Sequence, residues 1–292
     1  MIGQKDLINR LENQYAEECL PRFLIFVGAD GMGKRTLMRE FAHDHWKLVE
    51  ELPDVKVDTI RQMIEDAYKL LTPTVYIIPD AHKMSVNARN AILKITEEPP
   101  NKATFFMSVV SLEQTLATIK SRGTAYHMRP YSRDEKTEYL DLLNVSLDEQ
   151  DRDFVLDVSA SMQEIETLVS SDPGEFYDYA QKLIDNIANV SVANALKSAD
   201  KIAFKDEPDK YDLLLLWKLC CYDLRYRIDE DIQDAPLFLA LMKETMARMS
   251  EVVSINSISK SNCYDMWLLN CRKIIKEYEN GSKDSEKPDK DR

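Results

Sequence analysis

Three of the chain's seven glycines, Gly28, Gly31 and Gly33, lie within six residues of one another. They follow a continuous apolar run, Phe23–Val27, and precede a segment with helical apolar spacing, from about Thr36 to His45. A short run without polar residues is typical of a strand buried on both faces of a parallel sheet. Glycines gather where the backbone turns sharply or approaches another group closely. The pattern therefore predicts a strand, a glycine loop and a helix in succession, as at the start of an α/β domain.

The loop itself, GADGMGKRT at 28–36, fits the phosphate-loop pattern GxxxxGK in its required context between a strand and a helix. In that pattern the glycines let backbone N–H groups surround phosphate oxygens, and the helix N-terminus adds a partial positive charge. Lys34 would reach the β- and γ-phosphates. We therefore expect a nucleotide site for ATP or ADP that includes Gly28, Gly31, Gly33 and Lys34.

At two positions around this loop, the residues differ from those that an active ATPase needs. The hydroxyl that should follow the lysine and bind Mg²⁺ is replaced by Arg35, which has no acceptor atom. Thr36 stands about 100° further round the helix. A second apolar strand, Thr74–Ile78, runs into Pro79-Asp80-Ala81, which supplies one carboxylate instead of the usual pair. We predict a degenerate nucleotide site that keeps Thr36 and Asp80 but has lost hydrolysis and holds no metal.

The rest of the chain indicates three domains and a tail. Apolar strand signals recur at Thr104–Val110 and stop after Tyr131, and long helical patterns follow. Alternating strands and helices predict a parallel sheet covered on both faces. We therefore expect an α/β domain at 1–131, a small helical domain at 132–190, an all-helical domain at 191–279 and a disordered tail at 280–292.

Composition limits the classes of function. The net charge of −13 disfavours tight DNA binding by the isolated chain, since phosphate neutralisation dominates that affinity. Five cysteines without a CxxC pair predict reduced thiols in a cytoplasmic protein and no zinc. The apolar runs are far shorter than the roughly 20 residues of a membrane span, so we expect no membrane association.

His82 is interpreted as a loop or packing residue.

Several motifs follow one another along the chain: Gly3-Gln4, the phosphate loop, the stretch YIIPDAHKMSVNARNAILKITEEPP at 76–100, and Ser121-Arg122-Gly123. In this order and spacing they resemble bacterial clamp-loader subunits of the AAA+ class. The chain is most similar to the delta-prime type of DNA polymerase III subunit, which keeps the arginine while its own ATP site decays, and gamma/tau-type subunits are similar as well. The resemblance implies that the two helical domains are an AAA+ lid and a collar for oligomerisation.

The resemblance also implies a function. Arg122 would act in trans on the ATP of a neighbouring subunit, as an arginine finger. The partners would be gamma/tau and delta subunits in a hetero-oligomeric, pentameric ring, the sliding clamp, and primed DNA reached through the assembled complex.

The departures from the family pattern leave other interpretations open. Gln163 stands where the family has a sensor arginine, Gly123 replaces a cysteine, and residues 37–73 lack the cysteines of the family's zinc module. An alternative is an active ATP-hydrolysing subunit of gamma/tau or phage type that recruits Thr36 and Asp80 to Mg²⁺. A third is a nucleotide-dependent scaffold outside replication.

Overall fold

The computed structural model describes residues 2–112, 117–170, 173–187, 213–254 and 260–285. The chain divides into two compact units. The first comprises Met1–Ser146 with Ser159–Ile165, and the second comprises Leu147–Val158 with Glu166–Arg292. Among the described helices, none combines the length and the apolar character needed to cross a bilayer.

A five-stranded sheet forms the centre of the first unit, and every paired strand in it runs parallel to its neighbours. Its strands, in chain order, are β1 Phe23–Val27, β2 Leu48–Glu51, β3 Thr74–Ile78, β4 Ala103–Val109 and β5 Thr124–His127. Their spatial order is β2-β3-β4-β1-β5, with Ile25 of β1 opposite Met107 of β4 and Ala125 of β5. Because the strands are parallel, all of their carboxyl ends lie at one edge and all of their amino ends at the other.

Helices enclose this sheet and bury both of its faces. They are α1 Lys5–Ala16, α2 Lys34–His45, α3 Val57–Ala67, α4 Val86–Glu97, α5 Ala117–Lys120 and α6 Arg133–Leu142. Alternate residues of β1 serve the two cores, since side chains alternate along a strand. Ile25 packs with residues of α3 and α4, and Phe26 packs with residues of α1 and α2. The predicted parallel sheet, covered on both faces, is thereby confirmed.

The second unit is built from helices. They are α7 Glu149–Val158, α8 Met162–Ser170, α9 Pro173–Asn186, α10 Leu213–Glu230, α11 Ala235–Ser254 and α12 Lys260–Ser285, of which α8 begins within the residues assigned to the first unit. Trp217 of α10 and Trp267 of α12 are fully buried, with ring centroids 5.9 Å apart. The Trp267 indole donates a hydrogen bond of 2.9 Å to Thr245 Oγ1 on α11, which satisfies the buried N–H of that ring.

The structure corrects several sequence predictions. Strands β2 and β5 were not predicted. Helix α12 continues to Ser285, so the tail predicted from 280 is helical in its first part, while 286–292 lie outside the described residues. The described helices of the second unit agree with the predicted all-helical carboxyl-terminal region, and the domain boundaries at 131 and 190 remain predictions.

Candidate functional site

The phosphate loop connects the carboxyl end of β1 to the first turn of α2. Its entry is held by the Gly28 N–H, which donates to the Val109 carbonyl at 3.2 Å. Gly31 and Gly33 both adopt positive φ, at 74° and 75°, a region that side chains with a Cβ rarely enter. Gly33 is the N-cap of α2, and its carbonyl accepts the first helical hydrogen bond, from Leu37. The predicted succession of a strand, a tight loop and a helix is correct, and the helix begins at Lys34, two residues before its predicted start.

Lys34 points into this loop and is only 6% exposed. Its ammonium donates hydrogen bonds of 2.7 Å to both the Gly28 and the Ala29 carbonyls, and it lies 3.7 Å from Asp30 Oδ1. Burial lowers the pKa of Lys34 below its ordinary value, and the Asp30 carboxylate partly offsets that effect. Two of the three ammonium donors are thus engaged by the loop's own carbonyls. The residues therefore fit a nucleotide phosphate only in part.

Arg35, the residue at the position of the metal-binding hydroxyl, is held away from the loop. Its Nε pairs with Glu51 Oε1 on strand β2, and Arg39, one turn later, pairs with the other oxygen of the same carboxylate. Thr36 is exposed on α2. The donor set that surrounds Mg²⁺ in a phosphate loop is therefore not reproduced at the start of this helix.

Asp80 follows β3 and reaches the same edge of the sheet. It has a left-handed φ of 50°, and its backbone N–H donates to Ser108 Oγ at 2.9 Å. Lys83 donates a hydrogen bond of 2.9 Å to Asp80 Oδ2. Burial raises the pKa of the Asp80 carboxyl, but Lys83 and the charges of His82 and Lys34 outweigh it, so the net shift is downward. Asp80 is therefore a charged partner of Lys83.

Asp30, which lies beside Asp80, was missed by sequence reasoning, and His82 was interpreted only as a loop or packing residue. Ligand atoms of Asp30, Asp80 and His82 all lie within 4.8 Å of one another. Asp30 occupies a position that the loop motif leaves unspecified, and His82 gave only the weak signal of a polar residue after a strand. Lys34 and Lys83 lie against the two carboxylates, so this cluster already holds its counter-charges.

Further residues of the first unit press against the loop. The Tyr131 hydroxyl donates to the Met32 carbonyl at 2.8 Å. A Cβ on Gly31 would lie 2.5 Å from Ser161 Oγ and 2.9 Å from the Cβ of Gln163. Gln163, predicted to replace a sensor arginine, is thus placed beside the phosphate loop. Such contacts limit how far the loop can open.

Arg122 lies at the opposite edge of the sheet. It precedes β5, whose Thr124 pairs with Leu24 near the amino end of β1. Its Nη2 forms an ion pair of 2.6 Å with Oε1 of Glu97, the last residue of α4. The predicted site residues thus separate into two groups. The first lies at the phosphate loop and comprises Gly28, Gly31, Gly33, Lys34 and Asp80, with Thr36 on the adjoining helix. Arg122 lies apart from them at the other edge of the sheet.

Comparison with known proteins finds similarity to subunits of bacterial DNA polymerase III. Residues 43–132 match the family model described as "DNA polymerase III, delta subunit". The DNA polymerase III subunit delta' of Buchnera aphidicola subsp. Schizaphis graminum is 35% identical over 97 residues, which cover 32% of this chain and 30% of that protein. The DNA polymerase III subunit tau/gamma of Haemophilus influenzae is 25% identical over 170 residues, which cover 48% of this chain and 25% of that protein.

The chain spans between a quarter and a half of the length of the curated relatives it matches. For the fold, the crystal structure of a DNA polymerase III, gamma subunit-related protein from Thermotoga maritima superimposes with a TM-score of 0.51 at 16% identity. That match covers 90% of this chain and 98% of the other. The predicted resemblance and fold class are confirmed: the chain is similar over part of its length to the delta' and tau/gamma subunits of DNA polymerase III, and it has the fold of the gamma subunit-related protein.

Proposed function

We propose that the chain is a non-motor subunit of the DNA polymerase III clamp loader. In this role it helps to place the sliding clamp on primed DNA and lends Arg122 to the ATP site of a neighbouring subunit. Its partners are gamma/tau and delta subunits in a hetero-oligomeric, pentameric ring, and it reaches DNA through that complex. The relatives named above support the complex, and the site geometry supports the role within it.

The observation that carries the proposal is the state of the phosphate loop. Lys34 is hydrogen-bonded to the carbonyls of the loop itself, and the next residue, Arg35, is bound to strand β2. A phosphoryl-transfer site needs both a metal and a water held in place. Neither role is supplied by an arginine or by a carboxylate paired with Lys83. A nucleotide bound here would have its phosphates held by backbone N–H groups of the loop and by Lys34, without hydrolysis.

The position of Arg122 supports action in trans. The phosphate loop follows the carboxyl end of β1, and Arg122 lies near the amino end of the adjacent β5. At about 3.3 Å per residue, the five-residue strand β1 separates the two edges by roughly 15 Å. Arg122 therefore cannot serve its own chain's loop, so a phosphate that it contacts belongs to another molecule.

A reconstituted ring tests the proposal. We expect Arg122→Ala to reduce hydrolysis at the receiving site by ~10³-fold or more, the range found for arginine fingers. The ATPase rate of the whole ring, stimulated by clamp and primed DNA, should fall by the amount that this site contributes. The ring should still assemble. Arg61→Ala removes another exposed arginine that pairs with a carboxylate, Asp58, and serves as the matched control. An intact ring with an unchanged stimulated rate would refute the arginine assignment.

The alternative is an active ATPase, and the cluster of Asp30, Asp80 and His82 beside Lys34 is the observation that favours it. The purified chain alone distinguishes the two functions. Magnesium-dependent ATP hydrolysis that Lys34→Ala abolishes, in a variant that remains folded, would support the alternative. Our proposal expects no turnover above background.

A further inference from the structure

Arg122 is held by contacts on both sides of its turn. The backbone N–H groups of Arg122 and Gly123 both donate to the Ile119 carbonyl, at 3.2 and 2.9 Å. Gly123 is pressed against β1, since a Cβ there would lie 2.5 Å from Ile25 Cδ1. The backbone that carries Arg122 therefore has little freedom to shift. The long side chain can still change conformation, and holding it in one orientation costs rotamer entropy.

Glu97 lies where it can reduce that cost. Its Oε1 is 2.6 Å from Arg122 Nη2, and the two side chains are 50% and 31% exposed. Glu97 is the last residue of α4, and the chain after it is fixed by Arg22, which donates to the Pro100 carbonyl at 2.9 Å. The carboxylate thus extends from an anchored helix end toward the guanidinium.

The contact leaves the guanidinium able to bind a second anion. Glu97 Oε1 engages Nη2, and Nη1 lies 3.5 Å from Ser121 Oγ. A guanidinium offers five N–H donors in a planar fork, so a phosphate approaching from solvent can share them while Glu97 keeps the side chain oriented. Preorganisation of this kind lowers the entropy lost when the phosphate is bound.

We infer that Glu97 is a positioning residue for Arg122, which it orients toward the phosphate of the neighbouring subunit. This inference rests on the proposed function. Glu97 itself touches no phosphate in this arrangement and acts only through the arginine. An exposed ion pair adds little stability, so the loss of Glu97 should appear in the ring's ATPase and hardly in the unfolding of the chain.

The test uses the full chain in the reconstituted ring, with ATPase stimulated by clamp and primed DNA. Glu97→Gln should lower the part of the stimulated rate that depends on Arg122 by about twofold to fivefold, the rate ratio expected for an ion pair of this exposure, and leave the KM for ATP nearly unchanged. Glu98→Gln removes the same charge from the adjacent exposed glutamate and is the matched control. The ratio between the wild-type and Glu97→Gln rates should shrink as salt rises, because screening weakens the exposed pair.

A double variant separates positioning from a general structural effect. In an Arg122→Ala background, Glu97→Gln should cause no further loss of rate. If Arg122→Ala lowers the rate and Glu97→Gln does not, the positioning role is refuted and the proposed function stands. A faster rate for Glu97→Gln would make Glu97 a competitor for the guanidinium and would also refute positioning. If Arg122→Ala itself has no effect, the proposed function fails and this inference with it.

Discussion

The two edges of the parallel sheet hold charged residues of the same kinds in opposite arrangements. At the carboxyl edge, Lys34 is buried against carbonyls of its own loop, and Lys83 is bound to Asp80. At the amino edge, Arg122 and Glu97 form a pair that solvent reaches. The Lys34 ammonium is buried and satisfied within the chain, whereas the Arg122 guanidinium, like the exposed Lys83–Asp80 pair, remains accessible to another molecule. Lys34 of the phosphate-binding motif therefore also has a structural role, because it holds the carbonyls of its own loop.

The largest effect on stability is expected from the substitution of a glycine in the phosphate loop, at the carboxyl edge. Gly31→Ala should lower the free energy of unfolding by about 2–4 kcal/mol. Positive φ costs an alanine about 1–2 kcal/mol, and the new Cβ would lie 2.5 Å from Ser161 Oγ, so overpacking adds to it. Urea unfolding of the whole chain, followed by a probe in the α/β unit, measures the loss.

Gly28→Ala is the control for this experiment. Its φ lies outside the left-handed range, and its new Cβ would meet nothing nearer than Met128 Cβ at 3.3 Å. We expect a change below about 1 kcal/mol. Equal losses for the two variants would contradict the view that close packing holds Gly31 in place.

Sequence reasoning succeeded where one physical rule governs a segment. Strands β1 and β3 are continuous apolar runs because both faces of the sheet are covered, and their ends were predicted correctly. Strand β2 was missed because it lies at the edge of the sheet and reads Leu-Val-Glu-Glu, with side chains that alternate between exposed and half-buried. Strand β5, Thr-Ala-Tyr-His, is too short and too polar to stand out.

The site was predicted in outline because motif spacing reports local geometry. The loop, its lysine and Asp80 meet as expected, but the partners of each charge do not follow from spacing. Glu51 reaches Arg35 across 16 positions and Glu97 reaches Arg122 across 25, and both contacts depend on the packing of separate elements. Long-range pairs of this kind have no local pattern in a single sequence.

A second prediction concerns the amino edge, where Gly123 occupies the family's cysteine position. Gly123→Cys should destabilise the chain by about 1–3 kcal/mol, because the new Cβ would lie 2.5 Å from Ile25 Cδ1 and 2.9 Å from Phe23 Cδ1. Ile25→Val removes the Cδ1 atom. In the wild-type background that change should cost about 0.5–1.5 kcal/mol, and in the Gly123→Cys background it should cost less. Strictly additive losses from denaturant unfolding would show that Ile25 does not determine the choice of glycine.

The smallest expected effect is a pH dependence confined to the carboxyl edge. His82 is 8% exposed, and burial lowers its pKa. The charges of Asp30 and Asp80 raise that pKa and those of Lys83 and Lys34 lower it, with a net shift downward. The unfolded chain therefore binds a proton at His82 more readily than the folded chain does. The free energy of unfolding should fall as the pH drops through the ordinary histidine value of about 6.5.

This dependence can be measured on one residue. The His82 ring signals in NMR should titrate with a midpoint below about 6.5, and Lys83→Ala should raise that midpoint because it removes a neighbouring positive charge. In the His82→Gln variant, the free energy of unfolding should depend less steeply on pH on the acidic side, because the contribution of His82 is removed. Asp80, whose pKa is also lowered, contributes stability that is lost only at more acidic pH, so the two groups act in separate windows. A His82 midpoint at or above 6.5 would mean that the two carboxylates outweigh burial and the lysines, and that this edge carries net negative charge instead of balanced charge.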